Sequence, residues 1–119
     1  MQYILNHDLH IHSRLSSCSG DPTQTPEAIL SSAKKNELNL ICLTDHFWDE
    51  CVPGASRWYD TYHKYSDISK ALPLPSDPEV EFLFGCEVDM DKNGVIGISK
   101  EKYDLFDFII VEGHSNTVY

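Results

Sequence analysis

Apolar residues along the chain form four short runs that predict β-strands, and each run ends in polar residues. In the second and fourth runs the apolar residues are nearly continuous, which is typical of strands buried on both faces. The first run alternates apolar and polar residues at its end, as expected of a half-buried strand. The four runs are Tyr3–Leu5 continuing into Asp8–His12, Leu40–Leu43, Glu81–Glu87 and Phe108–Val111.

Helix and turn signals separate these runs. A helix is predicted to begin with Thr25 as its N-cap and Pro26 at its first position. A second helix is predicted over residues 58–72 and a short one over 100–105, while Asn93-Gly94 favours a hairpin after the third strand. Strands that alternate with helices in this way predict an α/β protein with a parallel sheet of about four strands plus a hairpin.

Each predicted strand carries residues of metal-ligand type at its C-terminal end. In α/β sheets and barrels these ends converge, and active sites form there. The first pair of histidines is two residues apart in a strand, so both side chains point to the same side. Imidazole and carboxylate together suit Zn, Mn or Fe, so the set of residues at these strand ends predicts a metal centre. Its members are His10 and His12, Asp45 and His46, Glu87, and His114.

Five motifs in this order resemble those of the PHP (polymerase and histidinol phosphatase) domain. The resemblance spans nearly the whole chain. The motifs are Asp8-Leu9-His10-Ile11-His12-Ser13, Thr25-Pro26-Glu27, Thr44-Asp45-His46, Gly85-Cys86-Glu87, and Phe108-Ile109-Ile110 with Gly113-His114.

The resemblance implies a distorted TIM-like (β/α)₇ barrel with two or three divalent metal ions (Zn, Mn or Fe) that hydrolyses phosphoesters. By position, His10 and His12 are expected to bind one ion, and Glu87 is expected to bridge to a second ion that His114 also binds. His46 is expected to bind a third ion. The implied substrate is a small phosphorylated molecule, as in histidinol-phosphate phosphatases.

Three further residues receive roles from the same resemblance. Cys18 occupies the position where members with three metals usually have His or Asp, and a thiolate there is a possible zinc ligand. Asp45 and Asp8 are expected to be catalytic residues that orient the imidazoles. His7 and His63 match no motif, so they are expected to be ordinary solvated histidines.

Charge and length limit the range of functions. Nine Lys and Arg against nineteen Asp and Glu give a net charge of -10, which disfavours nucleic acid as a partner. No apolar run is long enough to span a membrane, and the N-terminus lacks the pattern of a signal peptide, so a cytoplasmic protein is expected.

The motifs cover about four of seven barrel strands in 119 residues. We therefore expect a single truncated PHP domain over 1–119, with a second copy completing the half barrel in a homo-oligomer.

Two alternatives to the phosphoesterase remain open at this point. The chain can be a metal-binding fragment without catalysis, or an amidohydrolase-like metallohydrolase, which shares the His-x-His opening. The four cysteines show no C-x-x-C spacing, and Cys42 lies in an apolar run where it is expected to fill the core.

Overall fold

Four parallel strands form one curled sheet, a half-barrel with helices between the strands. The computed structural model describes residues 6–16, 21–55 and 63–113. The strands lie in the order in which they occur along the chain, and each pairs with the next in parallel. They are β1 (His7–Ile11), β2 (Leu40–His46), β3 (Glu81–Met90) and β4 (Phe108–Gly113). Within the described residues, the helices are α1 (Pro26–Lys35), α2 (Tyr65–Ile68) and two 3₁₀ helices, Ser69–Ala71 and Lys100–Leu105. The predicted partial TIM-like α/β fold is confirmed.

Helix α1 begins where its capping residues predict. The Thr25 hydroxyl accepts a hydrogen bond from the Ala28 N–H at 3.2 Å, and Pro26 occupies the first helical position. Ile29 and Ala33 lie one turn apart and are buried in the core together with the intervening Leu30. This apolar stripe packs α1 onto the sheet, as an amphipathic surface helix requires.

The centre of the sheet is its most buried part. Ile41, Cys42 and Leu43 of β2 have no solvent-accessible surface, which confirms a strand covered on both faces and Cys42 as a core residue. Burial raises the pKa of the Cys42 thiol to about 12. On β3, a Cβ added at Gly85 would lie 2.3 Å from the carbonyl oxygen of Phe108, so the close approach of β3 and β4 requires glycine there.

The segment predicted as one helix over 58–72 is helical over a shorter stretch. Residues 56–62 lie outside the described part of the chain, and α2 begins only at Tyr65. Lys64 has an extended backbone, and its N–H donates to Asp67 Oδ2 at 3.2 Å, which caps the helix start. The prediction of helix at residues 63 and 64 is therefore wrong.

The Asn93-Gly94 turn is confirmed, but its second arm is not a full strand. The Gly94 backbone has a φ of 79°, as such a turn requires. Beyond it, Ile96 forms one antiparallel bridge with Met90 of β3. The predicted hairpin is therefore reduced to a turn and a single bridge.

The buried carboxylate of Asp49 holds the loop after β2 against residues 97–102, which follow the Asn93-Gly94 turn. Asp49 accepts hydrogen bonds from the Ser99 hydroxyl at 2.6 Å and from Lys102 Nζ at 3.0 Å. The Asp49 N–H in turn donates to the carbonyl oxygen of Gly97 at 2.8 Å. Burial would raise the pKa of Asp49, but these hydrogen bonds hold it well below its usual value. The ionised carboxylate thus fixes the loop that directly follows His46.

The sheet ends in an exposed strand. In β4, Phe108 and Val111 are 37% and 47% exposed, although both are large apolar residues. The expectation that this strand is buried on both faces is therefore wrong, because one edge of β4 has no neighbouring strand among the described residues. Pairing of this edge with a second copy of the chain stays a prediction. Among the described residues, no helix has both the length and the apolar character needed to cross a bilayer.

Candidate metal centre

Two imidazoles and one carboxylate converge at the C-terminal side of the sheet. His10 Nε2 lies 2.5 Å and His12 Nε2 lies 2.9 Å from the same oxygen, Glu87 Oε1. Glu87 is buried, whereas the side chains of His10 and His12 are 50% and 21% exposed. The three donor atoms all lie within 4.8 Å of one another, close enough to bind one ion. The predicted convergence of the two histidines is thus confirmed.

Strand pairing brings these side chains together. β1 and β3 flank β2 on opposite sides, and in the β2–β3 register Glu87 lies opposite His46. The β1–β2 register shifts between Asp8 and Ile11, which is a β-bulge just before His12. The Ile11 N–H donates to Thr44 Oγ1 at 3.1 Å, so a β2 side chain anchors the end of β1. Bulges of this kind redirect side chains next to functional sites.

The carboxylate of Glu87 has histidines on two sides. Its Oε1 faces His10 and His12, while its Oε2 lies 3.5 Å from His46 Nδ1. The ring of His46 is 4.4 Å from that of His12, measured between centroids. The two oxygens of this carboxylate therefore face three imidazoles. His46 therefore lies at the same site, as the sequence predicts.

Electrostatics favour the ionised form of Glu87 and the neutral form of His46, the protonation states in which these two residues can bind metal. Burial opposes ionisation of Glu87, but hydrogen bonds from Glu112, His10 and His12 hold its pKa below the usual value. The hydrogen bond to Glu87 raises the pKa of Glu112. Burial lowers the pKa of His46, although the negative charge of the nearby Glu87 acts to raise it. An ionised carboxylate beside a neutral imidazole is the form in which both are metal ligands.

The carboxylate of Asp45 contacts the loop after β1. It accepts hydrogen bonds from the Ser13 N–H at 2.7 Å, from the Ser13 hydroxyl at 2.6 Å and from the Ser16 hydroxyl at 2.7 Å. Ser16 Oγ also accepts a hydrogen bond from the His46 N–H at 3.1 Å. Asp45 is almost fully buried, so this network connects the end of β1 rigidly to the end of β2.

The remaining predicted residues are placed as follows. Asp8 is exposed, and its Oδ1 accepts a hydrogen bond from the backbone N–H of His10 at 3.1 Å. Cys18 and His114 lie outside the described residues, so their expected ligand roles stay predictions.

Two residues that the sequence reasoning did not select lie at or beside this site. Glu112 is bonded to Glu87, and its place at the end of β4 follows the same pattern as the chosen ligands. His63 is 1% exposed, and its ring is 6.2 Å from that of His46. The expectation that His63 is solvated is therefore wrong. No local pattern in the sequence signals this placement.

Comparison with known protein families shows what the chain is similar to. The model of the PHP domain family matches residues 8–117, a range that contains every predicted site residue. No curated protein matches the chain.

Replacing Asp45 tests its role in holding the loop. We expect Asp45→Ala to lower the free energy of unfolding by about 3 kcal/mol, because three buried hydrogen bonds to a charged group are lost. Asp8→Ala is the control, because Asp8 is exposed and accepts only the hydrogen bond from the His10 N–H described above. It should lower the free energy of unfolding by less than about 1 kcal/mol. Urea denaturation of the metal-free protein measures both values. Equal losses in the two variants would contradict the structural role of Asp45.

The lowered pKa of His46 predicts a pH dependence. Between this lowered pKa and the ordinary value of 6.5, the unfolded chain binds more protons than the folded one. The His46 contribution to stability therefore falls as the pH drops below about 6.5. An NMR titration of the His46 ring in the metal-free protein should give a midpoint below 6.5. A midpoint at or above that value would contradict the effect of burial.

Proposed function

The chain belongs to the PHP domain family, and from this premise we propose that it acts as a metal-dependent phosphoesterase on a small phosphomonoester. The family consists mostly of metal-dependent hydrolases, and its members generally bind divalent metal ions. The observation that carries the proposal is the convergence of His10 Nε2 and His12 Nε2 on one oxygen of Glu87. Two strands, β1 and β3, position these groups, so the site is part of the framework of the fold.

The chemistry of the donor set fits a divalent metal centre. Imidazole nitrogens with a carboxylate oxygen suit Zn, Mn or Fe, whereas Mg and Ca prefer oxygen ligands alone. The second oxygen of Glu87 and His46 Nδ1 offer ligand atoms on the other side of the carboxylate. When bound, metal ions at such a site supply an activated water and neutralise the oxygens of a phosphoryl group.

The residues of the chain determine how a substrate reaches this site. His10 is half exposed while Glu87 is buried, so a phosphate group approaches from the His10 side. Glu112 hydrogen-bonds to Glu87 and fixes the orientation of its carboxylate. With a net charge of -10, the protein needs bound cations to attract an anionic substrate. We propose a small molecule of the histidinol-phosphate type because the motifs of the chain resemble those of histidinol-phosphate phosphatases.

Replacing Glu87 tests this function. Glu87→Gln keeps the shape of the side chain but removes the charge, so we expect weaker metal binding and at least a hundredfold loss of turnover. Hydrolysis of p-nitrophenyl phosphate with added Mn²⁺ or Zn²⁺ gives the rate, and isothermal titration gives the metal affinity. Glu79→Gln, at an exposed position, is the matched control and should leave both values unchanged.

The outcomes separate the alternatives. Metal binding that depends on Glu87, without phosphatase activity, would instead support a non-catalytic metal-binding domain. Turnover of an amide but not of a phosphoester would favour an amidohydrolase-like enzyme. Equal phosphatase activity in the Glu87→Gln variant and the unaltered protein would contradict the proposed site.

A further inference from the structure

A side-chain hydroxyl continues the connection between β1 and β2 where their backbone pairing ends. The last pair in the β1–β2 register is Ile11 with Leu43, whereas β2 runs on to His46. The N–H of the residue after His46 donates to β3, so the His46 N–H faces the β1 side, and there it donates to the Ser16 hydroxyl at 3.1 Å. Ser16 therefore supplies with its side chain the acceptor that a longer β1 would supply with its backbone.

The contacts of the Ser16 hydroxyl fix the direction of its proton. Its oxygen accepts from the His46 N–H, so its single proton is left for Asp45 Oδ1, which lies 2.7 Å away. Ser13 is arranged in the same way, because its oxygen accepts from the Leu15 N–H at 3.1 Å and its proton goes to Asp45 Oδ2 at 2.6 Å. Both oxygens of Asp45 thus act as acceptors, as in an ionised carboxylate.

This chain of hydrogen bonds is closed to solvent. Ser13, Ser16 and Asp45 are 0%, 1% and 2% exposed, so water does not readily replace a lost partner. Removal of the Ser16 hydroxyl leaves the His46 N–H without its acceptor and Asp45 Oδ1 with one donor fewer. Because unsatisfied buried groups are costly, the loss favours a movement of the backbone at His46.

A movement of the His46 backbone changes one side of the metal centre. His46 Nδ1 lies 3.5 Å from Glu87 Oε2, whereas the Nε2 atoms of His10 and His12 face Glu87 Oε1. His10 lies within β1 and His12 directly after it, before the loop that contains Ser16. Loss of the Ser16 hydroxyl therefore affects the imidazole on the Oε2 side first.

We propose that Ser16 is a positioning residue of the metal centre, whose hydroxyl holds His46 in the place where its imidazole binds an ion on the Oε2 side of Glu87. The inference rests on the proposed function, because it requires that this site binds divalent metal. It assigns a role to a serine that none of the sequence motifs includes. Residues that hold metal ligands in place typically change metal affinity by about ten- to a hundredfold when they are replaced.

Replacing each serine by alanine tests the assignment. Ser16→Ala and Ser13→Ala each remove one buried hydroxyl from the same carboxylate, but only Ser16→Ala removes the acceptor of the His46 N–H. The ¹⁵N-labelled proteins are titrated with ¹¹³Cd²⁺, and one-bond couplings between cadmium and histidine ring nitrogens are measured. In Ser16→Ala we expect at least about tenfold weaker cadmium binding at His46, with the couplings at His10 and His12 retained. Ser13→Ala should keep the couplings of the unaltered protein at all three histidines.

The outcomes separate this inference from the proposed function. Unchanged cadmium binding at His46 in folded Ser16→Ala, or an equal loss in Ser13→Ala, would overturn the positioning role and leave the proposed function standing. Couplings at His10 and His12 without one at His46 in the unaltered protein would do the same. No coupling at any of the three histidines would overturn both.

Hydrogen exchange of the unaltered protein decides the question if Ser16→Ala does not fold. Because coupling between two interactions is reciprocal, an ion bound by His46 also strengthens the hydrogen bond from the His46 N–H to Ser16. Saturation with Cd²⁺ should therefore slow exchange of this amide at least about fivefold more than exchange of the Ile29 amide, which donates to the Thr25 carbonyl oxygen in α1. Equal slowing at both amides would contradict the role of Ser16.

Discussion

The buried carboxylate of Glu87 is the interaction on which the rest of the structure depends. A carboxylate with 2% exposure is stable only if charged or polar groups compensate for its lost hydration. Here His10 and His12 donate to one oxygen, Glu112 hydrogen-bonds to the carboxylate, and His46 lies beside the other oxygen. Groups from all four strands of the sheet therefore meet at one carboxylate, and three of them, His10, His12 and Glu87, lie close enough together to hold one metal ion.

The fold keeps these groups in place through polar connections at the ends of the strands. Asp45 bonds the loop after β1 to β2, and Thr44 anchors the last residue of β1. Asp49 holds the loop after β2 against the segment that follows the Gly94 turn. Asp45 and Asp49 each accept several hydrogen bonds, and the Thr44 hydroxyl accepts one from Ile11 and donates one to it. All three side chains are buried, so displacement of one strand end leaves polar groups unsatisfied. Metal binding requires such rigidity because the ligands must converge in advance.

Much of the fold and part of the site could be predicted from the sequence. Near-continuous apolar runs identified β2 and β4, and capping residues identified the start of α1. The convergence of His10, His12 and Glu87 could be predicted because parallel strands bring their C-terminal ends together. The position of His63 could not be found in this way. It depends on a backbone hydrogen bond to Trp48 and on a helix that starts only at Tyr65. The hydrogen-bond partners of Asp45 also could not be predicted, because spacing alone does not show which groups donate to a buried carboxylate.

His10, His12 and Glu87 are proposed to bind a divalent metal ion. The most direct measurement is an anomalous difference map from crystals grown with Mn²⁺ or Zn²⁺, with data collected at the absorption edge of the metal. The predicted result is a peak in contact with His10 Nε2, His12 Nε2 and Glu87 Oε1. A map in which these three atoms keep their direct hydrogen bonds, with metal bound only elsewhere or not at all, would contradict the claim.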